Sequence, residues 1–183
     1  RYQEFLTYFP QSKHVIISER QHQVTIVHRE TDVRNLTKTA ADTVQEIHRS
    51  TPAGDILVFM PGEKEIRGLI DQLKGRKLQN VRYLPLYGSM GPTQQRLVFQ
   101  SYRERKVIVA TNIAESSLTI NNLAFVIDSG LAKEEGFDAY ADVRTLELRR
   151  ISQSSAEQRA GRTGRNGPGD CVQPQGMPLQ LVS

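Results

Sequence analysis

The chain has 183 residues, 38% of them hydrophobic and 24% charged, which predicts one domain or one domain plus an appended segment and is too apolar for a disordered chain. Its 24 basic and 20 acidic residues leave a net charge of +4, which permits nucleic-acid binding without establishing it. The longest near-continuous apolar run, Ile56 to Met60, is far short of a membrane span, no signal peptide is legible, and the lone Cys171 excludes an internal disulfide. The expectation is therefore an intracellular setting, nuclear or cytoplasmic, with no membrane partner.

In chain order, Val15 to Ile17 and Val24 to Val27 are short β-branched runs. Leu36, Ala40, Val44 and Ile47 recur every three or four residues, so the spacing predicts an amphipathic helix over Thr31 to Arg49. After the breaker cluster Ser50 to Gly54, Ile56 to Met60 is too short for a helix and reads as a buried strand. Pro61-Gly62 turns the chain into a helix over Glu63 to Lys74, stopped by Gly75. Val81 to Leu86 is a strand. Pro92 opens a helix over Thr93 to Tyr102. Val107 to Ala110 and Leu123 to Ile127 are further strands. Strands apolar on both faces and separated by helices predict an α/β, doubly wound, mostly parallel sheet with helices on both faces.

Gly130 to Arg150 differs. Apolar residues are interleaved with charges, and Thr145 to Arg149 alternates with period two, so an inserted β-hairpin is expected. Gln173 to Ser183 carries two prolines and no periodicity and reads as an unpacked tail. The four histidines show no metal-ligand spacing, so no metal site is expected.

Ser152 to Arg165 (SQSSAEQRAGRTGR) is the most informative stretch. Ser154 and Glu157 have capping-box spacing, predicting a helix start there. On such a helix Gln158, Arg162 and Arg165 stand at i, i+4 and i+7, so an amide and two guanidiniums share one face. Gly161 and Gly164 clear space beside them at a cost in helix stability, which suits an oxyanion-binding face. The bland alternative is a solvated basic face.

Gln158 to Arg165 (QRAGRTGR) resembles motif VI of superfamily 2 helicases. Ala110 to Ile120 (ATNIAESSLTI), followed by Val126 to Gly130, resembles motif V and its continuation in the DEAH/RHA group of RNA helicases. Ile56 to Ile66 resembles motif IV, and Pro85 to Phe99 the segment after it. These ordered motifs run from about Asp55 to Cys171. The chain holds no Gly-Lys dipeptide for a phosphate loop and no Asp-Glu dipeptide for a DEAH box. The resemblance therefore implies a second RecA-like lobe alone, with residues 1–18 the end of a preceding lobe and linker, 19–173 the lobe, and 174–183 a tail. It further implies ATP as the nucleotide, Mg²⁺ held by the absent first lobe, and as partners single-stranded RNA, that first lobe and a candidate activator protein. The fragment alone is expected to be inactive.

By the same resemblance, Gln158, Arg162 and Arg165 would act at the γ-phosphate as catalytic groups. Phe99 would stack on the adenine, the alternative being a core phenylalanine. Thr111 and Asn112, with the Gly62 turn, would touch the RNA backbone, though both residue types also cap helices. Ser117 and Thr119 would connect RNA contact to the nucleotide, and Asp128 would help place the motif VI arginines. The hairpin resembles one that helps separate strands, against a plain surface excursion. Asn121-Asn122 stands where the family has Asp-Gly, which puts a ribose contact there in doubt. Two other classes stay open: a non-catalytic RNA-binding or protein-docking module, and a lobe of a DNA translocase.

Overall fold

The computed structural model describes residues 24–29, 33–116, 119–138, 143–163 and 169–174. Among these residues eight strands and five helices follow one another. Strand β1 (Val24–Arg29) is followed by a 3₁₀ turn (Val33–Asn35) and helix α1 (Leu36–Ser50). Then come β2 (Asp55–Phe59), α2 (Glu63–Gly75) and β3 (Val81–Leu86). A short α3 (Pro92–Gln95) continues as a 3₁₀ turn (Arg96–Phe99) into β4 (Arg105–Ala110) and α4 (Ile113–Ser116). The chain goes on through β5 (Leu123–Asp128), β6 (Leu131–Asp138), β7 (Val143–Arg150), α5 (Gln153–Ala160) and β8 (Gly169–Pro174).

Six strands form one sheet in the order β1-β8-β5-β2-β4-β3, and all its pairings are parallel. Strand side chains alternate faces, so a strand buried on both sides must be apolar at every position. In β2 and β4, Ile56, Val58, Val107 and Val109 join one core with Ala40 and Val44 of α1 and Ile66 and Leu69 of α2. Leu57, Phe59, Ile108 and Ala110 join the other with Val98, Ala114 of α4 and Ala160 of α5. Helices thus cover both faces of a doubly wound sheet. Strands β6 and β7 stand apart as a two-stranded antiparallel hairpin, Leu131 opposite Arg150 and Asp138 opposite Val143. At its base Leu131 is buried, whereas Leu146 is 68% exposed. Among the described residues no helix is long and apolar enough to cross a membrane.

Three elements differ from expectation. The helix expected from Thr31 starts at Leu36, the first of the apolar residues that give it an inward face. The helix expected over Thr93 to Tyr102 stops at Gln95 and tightens into the 3₁₀ turn. Gln173, read as tail, lies in β8, buried and aligned with His28, and its amide donates to Ala156 O at 3.4 Å. Val15 to Ile17, the expected linker 1–18 and residues 175–183 lie outside the described residues.

Candidate functional site

Parallel strands end together, and their carboxyl ends are where ligands meet such sheets. Here backbone bonds tie those ends to one another. Met60 N–H donates to Ala110 O (2.8 Å), Ser129 N–H to Phe59 O (3.1 Å) and Thr111 N–H to Leu86 O (3.1 Å). Gly62, Thr111, Asn112 and Asp128 consequently share one edge. Thr111 is half-buried and Asn112 exposed. The Thr111 carbonyl accepts from Ala114 N–H at 3.2 Å and the Asn112 carbonyl from Glu115 N–H at 2.9 Å, so their backbones open α4. Gly62 is buried and extended (φ −165°), a conformation any residue adopts. Its demand is for space: a Cβ would stand 2.8 Å from Lys133 Nζ and 2.9 Å from Glu65 Oε2. Those two atoms pair at 2.9 Å and moor the hairpin to α2.

Behind this edge lies a buried charge network. Arg159 of α5 is 1% exposed. Its Nε donates to Glu115 Oε1 of α4 at 2.7 Å and one terminal nitrogen to Asp128 Oδ1 of β5 at 2.8 Å. That nitrogen also reaches Leu131 O at 3.3 Å, and the guanidinium lies 4.8 Å from the Phe59 ring centroid. Asp128 Oδ1 accepts the Gly130 N–H at 2.8 Å, whereas Oδ2 has no partner among the described residues. Burial pushes the Asp128 carboxyl above its usual range, outweighing the downward pull of Arg159 and Gly130. One guanidinium therefore fixes motif V, motif VI and the base of the hairpin to one another.

Helix α5 differs from the sequence reading at both ends. Its N-cap is Ser152, whose hydroxyl accepts from Ser155 N–H at 3.1 Å, rather than Ser154. Glu157 instead accepts from the Gln153 side chain at 3.0 Å. The helix ends at Ala160 with Gly161 as its C-cap, so Arg162 stands in the following turn and not on a continuing helical face. Arg162 still lies against Gln158, its Nε donating to the Gln158 carbonyl at 3.3 Å. Gln158 is exposed. Phe99, 42% exposed, is no core residue, and its neighbour Val98 packs in the core that also holds Ala160 of α5. Thr119 is exposed. Ser117 and Arg165 lie outside the described residues. Asn122, where the family pattern has Gly, is left-handed (φ 66°), a conformation asparagine tolerates better than other residues with a Cβ.

Sequence reasoning missed Arg159 and Glu115 as organising residues. Ala156 and Ala160, small apolar residues in a polar stretch, mark the inward side of α5, and Arg159 lies on it.

Residues 38–167 match the family described as "Helicase conserved C-terminal domain". The chain is 40% identical over 164 residues to the "Probable ATP-dependent RNA helicase DHX35 homolog" of Caenorhabditis elegans, covering 86% of this chain and 22% of that protein. It is 36% identical over 176 residues to "ATP-dependent RNA helicase HrpA" of Escherichia coli (strain K12), covering 93% of this chain and 14% of that protein. Among solved structures it is similar to the Escherichia coli DEAH/RHA helicase HrpB, with TM-score 0.81 and 32% identity over 94% of this chain and 22% of that one. The chain thus spans under a quarter of each of these relatives.

Proposed function

We propose, on the premise that the chain belongs to the helicase conserved C-terminal domain family and that its relatives are DEAH/RHA RNA helicases, that it is the second RecA-like lobe of an ATP-dependent RNA helicase. The whole enzyme couples NTP hydrolysis to movement along single-stranded RNA. The observation that carries this reading is the Arg159 network, which binds the motif V and motif VI segments into one rigid unit. An RNA contact at Thr111 and Asn112 is thereby coupled to Gln158 and Arg162.

The exposed amide of Gln158, the Arg162 guanidinium and the exposed Phe99 ring are groups that suit a triphosphate and its base. ATP is the substrate, shared with a first lobe. Gln158 orients at the γ-phosphate, while Arg162 and Arg165 stabilise the charge that develops on the transferred group. Phe99 stacks on the base, and Ser117 and Thr119 link the two ligands. Mg²⁺ is held by the first lobe, as the helicase resemblance implies. The hairpin acts in strand separation, and any activator protein binds the assembled enzyme.

The deciding experiment is RNA-stimulated ATPase in the full-length protein. Arg165→Ala lowers kcat by about 10²-fold or more, the scale of an arginine finger, and Arg165→Lys restores little because it lacks the planar fork. The thermal midpoint hardly moves. A retained rate with a midpoint several degrees lower would make Arg165 structural and sink the finger assignment. The isolated chain shows no ATPase with or without RNA; turnover of about 1 s⁻¹ would overturn the half-site view.

A further inference from the structure

Phe99 presents an unusual balance. Its ring is 42% exposed, while Val98 beside it is fully buried. The segment carrying it is one 3₁₀ turn, Arg96–Phe99, and the end of such a turn leaves carbonyls without helical partners. The structure accounts for three of them. Leu97 O accepts from Gln100 N–H at 3.3 Å and from the Tyr102 hydroxyl at 3.1 Å. Val98 O and Gln100 O, the carbonyls on either side of Phe99, both accept from Lys106 Nζ, at 3.0 and 3.2 Å.

Lys106 is 6% exposed, the second residue of β4, in a strand whose next four residues are all fully buried. Its ammonium is neutralised by Asp55 of β2, with Nζ 3.5 Å from Oδ2, while Asp55 Oδ1 accepts the Lys106 backbone N–H at 2.9 Å. Burying an ion pair costs more than packing apolar residues of similar volume, so the sheet by itself does not ask for a charge here. What uses the charge is the pair of carbonyls outside the sheet. A lysine can serve both, because an ammonium has three donors on one atom.

We propose that Lys106 is a positioning residue for Phe99, its ammonium fixing the backbone on both sides of the ring so that the ring stays presented for stacking on a nucleobase. This role rests on Phe99 being the stacking residue of the nucleotide site. With the clamp removed, the turn is free to reorient and the exposed ring to fold onto neighbouring apolar surface. The nucleotide then binds more weakly, while groups at the γ-phosphate are undisturbed.

The test is steady-state ATPase in the full-length protein, with RNA saturating and ATP varied, on Phe99→Ala, Lys106→Met and the combination of both. Asp55→Asn/Lys106→Met accompanies them, since it removes both charges and supplies a folded comparison where the unpaired Asp55 destabilises the single variant. Phe99→Ala raises KM by about tenfold, the scale of one lost base stack. Lys106→Met, or its companion, raises KM by about three- to tenfold with kcat changed less than about twofold. It adds nothing further once Phe99 is alanine, because the two act through one contact. GTP shows the same pattern, a flat ring being indifferent to the base's edge. If Phe99→Ala raises KM but the folded Lys106 variants do not, or if they raise it equally without the ring, Lys106 is structural only and the proposal falls. If Phe99→Ala leaves KM unchanged, the stacking role fails and the Lys106 role fails with it.

Discussion

At the amino end of the sheet, Lys106 and Asp55 are each 7% exposed in their side chains; at the carboxyl end, Arg159 and Asp128 are 1% and 0% exposed. Both are buried ion pairs, yet they do different jobs with different cations. The ammonium gathers carbonyls of a bent segment and serves backbone. The guanidinium spreads one planar charge between carboxylates of α4 and β5, lays its face near Phe59, and fixes the relative orientation of separate elements. A point donor suits the first task and a fork the second, so exchanging the two residue types is not conservative at either place.

The sharpest way to break that contrast is at Arg159. Arg159→Met strands Asp128 and Glu115 without their cation and costs about 3–5 kcal/mol of stability. Arg159→Lys recovers only a minor part, because one ammonium cannot span both carboxylates. Denaturant midpoints of the three proteins measure it, and a loss under about 1 kcal/mol for the methionine variant would show that this cation does not hold the network. A smaller effect is expected at the other end. Asp55→Asn keeps an oxygen for the Lys106 N–H and leaves the two carbonyl bonds of Nζ in place, so its cost falls at the low end, about 3 kcal/mol, of what breaking a buried pair costs. A cost equal to that of Arg159→Met would erase the distinction between the two ends.

An exposed carboxylate calibrates the buried one. Asp42 of α1, with 44% of its side chain exposed, is shared by Lys38 and Arg76, whose hydrogen bonds hold its carboxyl below the usual value. Its folded pKa is depressed, so its contribution is present above 3.8 and lost as pH falls through the lowered value. Asp128 is raised, so its contribution is present below 3.8 and lost as pH rises through the folded value. The stability gap between wild type and Asp42→Asn therefore grows with pH and stays under about 1 kcal/mol, given its exposure. The gap for Asp128→Asn shrinks over the same titration. Urea midpoints between acid and neutral pH check both, and slopes of one sign would refute the opposition.

The sheet was legible because its strands are buried on both faces. Ile56 to Met60 and Val107 to Ala110 are apolar at every position, and each position has a core to enter. The hairpin was legible for the opposite reason, its charge-interleaved alternation. What escaped sequence reasoning is non-local. The Phe99 helix is cut short where the Val98 and Gln100 carbonyls turn to a lysine in the following strand. Gln173 looked like tail because β1, its strand's partner, lies at the other end of the chain. Helical spacing would put Gln158 and Arg162 on one face, but the helix ends between them, and the arginine facing inward stands next to Gln158 in sequence.

Cys171, in β8, is aligned with Ile26 of β1 on one side and Val126 of β5 on the other, and it is fully buried. Burial pushes its thiol pKa up to about 12, so the folded chain offers a reagent almost no thiolate and no path to it. The sole sulfhydryl of this chain is thus a stopwatch sealed inside the sheet. Modification at neutral pH proceeds through molecules that have parted β8 from its neighbours. Where reclosing outpaces the reagent, the labelling rate reads the free energy of that opening under native conditions, with no denaturant and no engineered probe.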